Sequence, residues 1–179
     1  AVTVLFTDFV GFTQISERLT PTELIATLDK VFLEFDLICE RHHLSRIKTI
    51  GDSYMCVAGL PEPEKNHAAN AVLAALEMLE YVEAFNAKIA DARLRWNVRI
   101  GINSGPVVAG VVGIKKFAFD IWGDAVNIAS RMESSGEAGK VNVSGATHDL
   151  LPQQCRFTYR GKVSAKNKGE IDMYFVART

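Results

Sequence analysis

The sequence predicts one α+β domain in which helices pack on a mainly antiparallel sheet. Three observations lead to this fold class. The chain has 179 residues, of which 48% are hydrophobic and 23% are charged, so it is long enough to bury one core. Strand-like apolar runs alternate with segments of helical periodicity in the order β-α-α-β-β-α-β and onward. Two such runs, residues 45–50 and 53–60, are separated by Gly51-Asp52, which is a hairpin signal.

The other elements in the first half of the chain follow from local patterns. Residues 2–7 are apolar and β-branched, which predicts a buried strand, and residues 13–19 predict a short helix. A longer helix begins at Pro21, with Thr20 as its N-cap and Glu23 three residues after the cap. Its apolar stripe predicts packing against the sheet. A second long helix is expected over residues 66–90.

The second half of the chain is richer in strands. Strands are predicted at residues 94–102, 107–112 and 141–143, with a turn at residues 103–106. A short strand that starts at Phe117 leads into a helix over residues 124–133, and another short helix covers residues 146–151. Residues 157–164 and 171–177 predict a closing antiparallel pair, joined by the loop 165–170.

Composition excludes several classes of function. The net charge of −1 argues against a broadly basic surface for nucleic acid. The three cysteines form no CxxC pair, so neither a disulfide framework nor a zinc ribbon is indicated. The sequence also contains no P-loop motif. No apolar run approaches the roughly 18 residues that span a bilayer. Because the chain starts inside a strand pattern, we expect a cytoplasmic catalytic fragment of a longer protein whose regulatory or membrane segments lie outside it.

Two carboxylates are candidates for a metal site. Asp8 follows the first strand-like run, and Asp52 lies at the tip of the hairpin. If these strands are neighbours, the carboxylates meet at one end of the sheet, where a divalent cation would offset their repulsion. Asp8 could equally close a strand and Gly51-Asp52 could be ordinary turn chemistry, so both interpretations stay open on these residues alone.

Other segments carry groups that suit phosphate or sugar. Residues 11–13 form a glycine turn and a helix start, where free N–H groups can face an anion. Asn127 and Arg131 share one helix face, and an amide with a guanidinium can reach a sugar hydroxyl and a phosphate. Lys166 and Lys168 lie in a glycine-containing loop. Each feature also fits a helix cap, a helix surface or a solvated loop.

Together these residues resemble the catalytic domain of class III adenylyl and guanylyl cyclases. The resemblance extends from about residue 2 to residue 176. It rests on five motifs: FTDFVGFT at residues 6–13, IKTIGDSYM at 47–55, IGINSG at 100–105, FDIWGDAVNIASRM at 119–132 and KNKG at 166–169. Several long motifs in the family's order make a chance match implausible. The resemblance implies the ferredoxin-like, palm-like form of the α+β fold.

The resemblance also implies a role for each matching position. Two divalent cations, Mg²⁺ or Mn²⁺, would be bound by Asp8, Asp52 and the backbone carbonyl of Phe9. The positions that would contact phosphate are Gly11, Phe12, Thr13 and Lys166. The positions that would read the purine are Lys48 and Asp120. Asn127 would orient the ribose, and Arg131 would stabilise the transition state.

The implied reaction is attack of the ribose 3′-oxygen on the α-phosphorus, with pyrophosphate leaving. Adenine presents a ring-nitrogen acceptor and an N6 donor, which suit Lys48 and Asp120 respectively. Similar guanylyl cyclases have Glu and Cys at these positions, so the resemblance implies an adenylyl cyclase that makes 3′,5′-cyclic AMP from ATP. The alternatives are a guanylyl or mixed-purine cyclase, a catalytically silent nucleotide-binding dimerisation module, and a linear nucleotidyltransferase.

The resemblance further implies a homodimer. In the family, the metal-binding aspartates and the purine-reading residues come from opposite subunits. This chain carries both sets, so we expect a head-to-tail homodimer with two equivalent sites at the subunit interface. One departure is Pro106, since the metal-binding half of two-type cyclases has an arginine there. The departure would leave Arg131 and Lys166 with more of the phosphate charge.

Overall fold

The structure, a computed structural model, describes residues 1–114, 118–152 and 155–179, so Phe117, the expected start of a strand, lies outside the described residues. Within these ranges the strands are β1 (Val2–Val10), β2 (Leu44–Ile50), β3 (Ser53–Ala58), β4 (Asn97–Gly105), β5 (Val108–Val112), β6 (Ala118–Trp122), β7 (Val141–Ser144), β8 (Arg156–Ala165) and β9 (Gly169–Ala177). The helices are α1 (Phe12–Arg18), α2 (Pro21–Arg41), α3 (His67–Ala87), α4 (Asp124–Ser134) and α5 (Gly145–His148). None of these helices is long and apolar enough to cross a membrane.

Seven of the strands form one mixed sheet in the order β2-β3-β1-β4-β7-β9-β8. β1 lies inside the sheet, between β3 and β4, and pairs antiparallel with both. The β4–β7 pair is parallel, whereas β7–β9 and β8–β9 are antiparallel. The predicted α+β class with a mainly antiparallel sheet is therefore confirmed. β5 and β6 form a separate two-stranded antiparallel ribbon, called the β5–β6 ribbon below.

Apolar side chains cover both faces of this sheet. Successive side chains of a strand point to opposite faces, so Leu5 and Val4 of β1 enter two different core clusters. The larger cluster contains Leu5 with residues of α2 and α3, and the smaller contains Val4 with Ala129 of α4. The two long helices therefore lie on one face and α4 lies on the other.

Long-range pairing extends two strands beyond the limits predicted from local patterns. β1 continues to Val10, so Asp8 lies inside the strand rather than after it. The turn predicted at residues 103–106 is wrong for its first three residues, which remain in β4 because they pair with Val4, Thr3 and Val2. The capping box of α2 is confirmed by hydrogen bonds between Thr20 and Glu23 in both directions.

The C-terminal turn of α4 lies directly on the backbone of β4. A Cβ atom at Gly101 would come within 1.9 Å of the Glu133 nitrogen and 2.4 Å of the Glu133 Cα. On β7, Asn142 donates from Nδ2 to the carbonyl oxygen of Met132 at 2.9 Å. These two contacts fix the position of the last turn of α4 relative to the sheet.

Candidate active site

Asp8 and Asp52 converge on one backbone group at the end of the β1–β3 pair. The N–H of Phe9 donates to Oδ1 of Asp8 at 3.0 Å and to Oδ2 of Asp52 at 3.2 Å. The sequence left this convergence conditional on the two strands being neighbours, and the β1–β3 pairing shows that they are. The two carboxylates therefore share one small region at the end of the β1–β3 pair.

The surroundings of Asp8 disfavour its negative charge. Burial raises the pKa of Asp8 to about 7, helped by a hydrogen bond and the charge of Asp52 and by the charge of Glu133. The Phe9 N–H acts in the opposite direction but is outweighed. Two carboxylates this close repel each other unless a cation lies between them.

This donor set fits a hard divalent cation. Mg²⁺ is usually bound by one or two carboxylates together with substrate oxygens and water. In the part of the chain that the structure describes, no three His, Cys, Asp or Glu side chains are grouped to hold a metal. The remaining coordination positions beyond Asp8 and Asp52 would thus fall to a backbone oxygen, water or substrate.

Two charged residues outside the sequence motifs adjoin the carboxylate pair. Arg99 lies opposite Asp8 in the β1–β4 pairing, and its Nη2 is 3.9 Å from Oδ2 of Asp8. Its Nε donates to Oε2 of Glu133 at 3.0 Å. Burial raises the pKa of the Glu133 carboxyl, although the charge and hydrogen bond of Arg99 oppose that rise. Arg99 therefore links the carboxylate pair to α4.

A tight turn leads from β1 into α1. Gly11 adopts a left-handed conformation with φ of 74°, which favours glycine, and the Ile15 N–H donates to its carbonyl at 3.1 Å. The first N–H groups of a helix have no partner within it, and here they include those of Phe12 and Thr13. The Phe12 ring packs edge-on against Trp96 with a centroid separation of 6.0 Å. Aromatic packing thus anchors this turn.

Lys48 and Asp120 form an ion pair between β2 and β6. The Nζ of Lys48 donates to Oδ2 of Asp120 at 2.8 Å, and the Ile121 N–H donates to Oδ1 at the same distance. Burial alone would raise the pKa of Asp120, but the hydrogen bonds from Lys48 and Ile121 and the Lys48 charge lower it below its usual value. Asp120 is thereby held as an acceptor beside a cationic donor.

Asn127, Arg131 and Lys166 line one cavity of about 660 Å³ between α4 and the β8–β9 turn. The Nε of Arg131 donates to the carbonyl oxygen of Ser164 at 3.1 Å, which fixes the guanidinium beside the cavity. The other lining residues are Asp124, Ile128, Ser164, Ala165, Asn167 and Lys168. Lys168 pairs with Asp124 at 2.8 Å.

Apart from the turn at residues 11–13, the predicted site residues form three groups within one chain. Asp8 and Asp52 meet at Phe9, Lys48 meets Asp120, and the cavity brings Asn127 and Arg131 together with Lys166. The described residues that line the cavity include neither Asp8 nor Asp52. The carboxylate pair and the cavity are thus separate features of one chain.

Comparison with known proteins identifies the family. Residues 1–178 match the family described as the adenylate and guanylate cyclase catalytic domain. The chain belongs to this family. It is therefore a class III cyclase catalytic domain by sequence and by fold.

The relatives of this cyclase domain include both nucleotide types. It is 38% identical over 174 residues to an adenylate cyclase of Mycobacterium bovis, covering 97% of this chain and 38% of that protein. It is 40% identical over 179 residues to guanylyl cyclase C of Homo sapiens, covering 98% of this chain and 17% of that protein. Because these identities are nearly equal, overall similarity does not distinguish the two purines.

The fold agrees closely with a solved cyclase domain. The guanylate cyclase domain of RhGC from Catenaria anguillulae in complex with GTP superposes with a TM-score of 0.92 at 38% identity. The match covers 99% of this chain and 96% of that one. The cyclase fold thus extends over almost all of this chain.

Proposed function

We propose that this chain is an adenylyl cyclase, which converts ATP to 3′,5′-cyclic AMP and pyrophosphate. We propose also that its 179 residues form a single catalytic domain. The observation that carries the choice of ATP is the ion pair of Lys48 with Asp120. Since relatives of both nucleotide types are nearly equally similar, the purine must be argued from these two side chains.

The chemistry of the ion pair suits adenine. Lys48 can donate to a ring nitrogen, and Asp120 can accept from the N6 amino group. With guanine, Asp120 would face the O6 acceptor, and two acceptors would oppose each other in a partly buried site. The low pKa of Asp120 keeps its carboxylate ionised, so it has no proton to donate to O6. An unpaired buried polar group discriminates strongly between substrates.

Asp8, Asp52 and the Phe9 carbonyl would hold the divalent cations, Mg²⁺ or Mn²⁺. The convergence of both carboxylates on the Phe9 N–H supports this assignment. When bound, such cations neutralise triphosphate charge and lower the pKa of the ribose 3′-hydroxyl. The N–H groups of Gly11, Phe12 and Thr13 would contact the β- and γ-phosphates at the adjoining turn.

The cavity residues would act on the sugar and the reacting phosphate. Asn127 would orient the ribose, while Lys166 would bind the triphosphate. In the reaction the 3′-oxygen forms a bond to the α-phosphorus as the bond to the pyrophosphate oxygen breaks. Arg131, held by the Ser164 carbonyl, would balance the negative charge that develops on the α-phosphoryl group.

We propose that two copies of the chain assemble head to tail, each active site taking groups from both. The separation of the carboxylate pair from the cavity within one chain supports this arrangement. The β5–β6 ribbon offers an apolar surface for it, since Val108 and Val111 are 70% and 61% exposed and Phe119 and Trp122 are about 40% exposed. Apolar surface of this kind commonly marks an interaction site.

Product analysis tests this proposal. The chain is incubated with ATP or GTP, each with Mg²⁺ or Mn²⁺, over a series of protein dilutions. Cyclic AMP with pyrophosphate, and a specific activity that falls on dilution, is the expected result. Cyclic GMP as the main product would contradict the assignment of Lys48 and Asp120. No cyclic product at any protein concentration would contradict the catalytic proposal. The inactive control is an Asp52→Asn variant.

A further inference from the structure

Arg99 lies between two carboxylates that belong to different elements. Its Nε is 3.0 Å from Oε2 of Glu133 on α4, whereas its Nη2 is 3.9 Å from Oδ2 of Asp8 on β1. The short contact is a charge-assisted hydrogen bond, and the long one is only an electrostatic approach. The guanidinium therefore hydrogen-bonds Glu133 and lies near Asp8 without a hydrogen bond to it.

Glu133 is well placed to keep the guanidinium there. Its side chain is only 10% exposed, so little water competes for the contact. Its backbone rests on Gly101, two residues along β4 from Arg99, and the preceding Met132 carbonyl is held by Asn142. Because the last turn of α4 is fixed to the sheet, the Glu133 carboxylate provides a fixed anchor.

The position of Arg99 matters for any cation bound at Asp8. A guanidinium beside a divalent-cation site repels the cation, and it can also form a close ion pair with the carboxylate that should bind it. The negative charge of Glu133 opposes both effects, since it offsets the charge of Arg99 and holds the side chain back. Partners of this kind, one step removed from the metal, commonly tune metal affinity.

We propose that Glu133 is a positioning residue for the metal site: it holds Arg99 off Asp8 and offsets its charge, so that Asp8 can bind a divalent cation. This inference rests on the metal site proposed above. Glu133 acts through Arg99 and is not itself a ligand, because no three acidic, histidine or cysteine side chains in the described ranges are grouped to hold a metal.

The test measures binding of Mn²⁺ alone to the full 179-residue chain by the electron paramagnetic resonance signal of free Mn²⁺. Glu133→Gln should weaken binding about tenfold, since it leaves the Arg99 charge uncompensated. Arg99→Gln should tighten binding, and the double variant should return to within about twofold of the wild type. Glu137→Gln removes the same charge from a residue that pairs with Lys140 and Arg160, and it should leave binding unchanged.

The double variant separates this role from others. If it binds Mn²⁺ as weakly as Glu133→Gln does, Glu133 acts as a ligand or only through the fold, and the inference is overturned. Unchanged binding in Glu133→Gln also overturns it. Should Glu133→Gln fail to fold, as judged by thermal melting, Arg99→Gln remains decisive, since binding that is not tighter contradicts the inference. Wild-type binding in Asp8→Asn would instead refute the proposed metal site.

Discussion

Replacement of Gly101 by alanine tests the contact that fixes α4 to the sheet. The new Cβ would lie 1.9 Å from the Glu133 nitrogen and 2.5 Å from the Met132 carbonyl carbon, both of them backbone atoms that no rotamer change can move. To restore an ordinary contact, the end of α4 would have to retreat by about 1.5 Å in a close-packed interior. The substitution therefore displaces a helix rather than a side chain.

The expected cost follows from this displacement. Overpacking costs 1–3 kcal/mol in typical cores, and a backbone clash of this size belongs at the upper end, so we expect about 3 kcal/mol. For a chain of this length, that loss lowers the melting temperature by about 6–12 °C. Cyclase activity should fall at least about a hundredfold, because a misplacement near 1 Å of a catalytic group, the role proposed above for Arg131, has that effect.

Thermal melting and cyclic-nucleotide production measure these two effects. Gly110→Ala is the matched control for stability, since among the described residues its Cβ would meet only the Trp122 ring, at an ordinary 3.5 Å. We expect that control to melt within about 2 °C of the wild type. A Gly101→Ala variant that melts as the control does and keeps its activity would refute the reasoning.

Three further predictions concern specificity, charge and assembly. Lys48→Glu with Asp120→Cys should shift the ratio of ATP to GTP turnover at least about a hundredfold toward GTP; loss of ATP turnover with no gain for GTP would count against the purine assignment. In EDTA at pH 8, Asp8→Asn should raise the free energy of unfolding by about 1–2 kcal/mol, a value reduced to allow for the partial exposure of Asp8. The native state raises the pKa of Asp8 to about 7, so the ionised carboxylate destabilises the fold at pH 8, and the substitution removes that charge. In urea titrations this gain should shrink as the pH falls from 7 to 4, where native Asp8 carries a proton; a pH-independent difference would contradict it. Val111→Asp should shift sedimentation toward the monomer and lower activity, whereas Leu33→Asp, a matched change on α2 at 62% exposure, should do neither.

Local signals predicted the elements that depend on neighbouring residues. The capping box of α2 needs only Thr20 and Glu23, and the β2–β3 hairpin needs only the turn at Gly51-Asp52, so both could be predicted from short stretches. The extent of β1 and β4 depends instead on pairing across about a hundred residues. For that reason local patterns alone predict Asp8 after its strand and residues 103–105 in a turn, and both predictions are wrong.

The site shows the same division. The convergence of Asp8 and Asp52 could be stated only as a condition, since strand adjacency is a property of the sheet. No local sequence pattern predicts that Arg99 lies near Asp8, because the two residues are brought together by the register of β1 and β4. The burial of Glu133 could have been predicted, because this residue directly follows the buried stripe Ala125, Ala129 and Met132 of α4. An acid at the edge of such a stripe predicts a buried partner.

Helix α4 contacts Arg99, beside the carboxylate pair, and also lines the cavity, which permits a test of the proposed dimer. Residues two apart on a helix point to nearly opposite sides, so Glu133 faces Arg99 while Arg131 faces the cavity. If each active site combines Asp8 of one subunit with Arg131 of the other, Asp8→Asn and Arg131→Ala inactivate different contributions. Mixed in equal amounts, two inactive variants form heterodimers with one intact site, which restores about a quarter of the wild-type activity if subunits exchange freely. If pull-down of one tagged variant recovers the other, so that heterodimers are present, and the mixture still remains inactive, both sets of residues would have to act within the same chain, and the shared-site arrangement would be refuted.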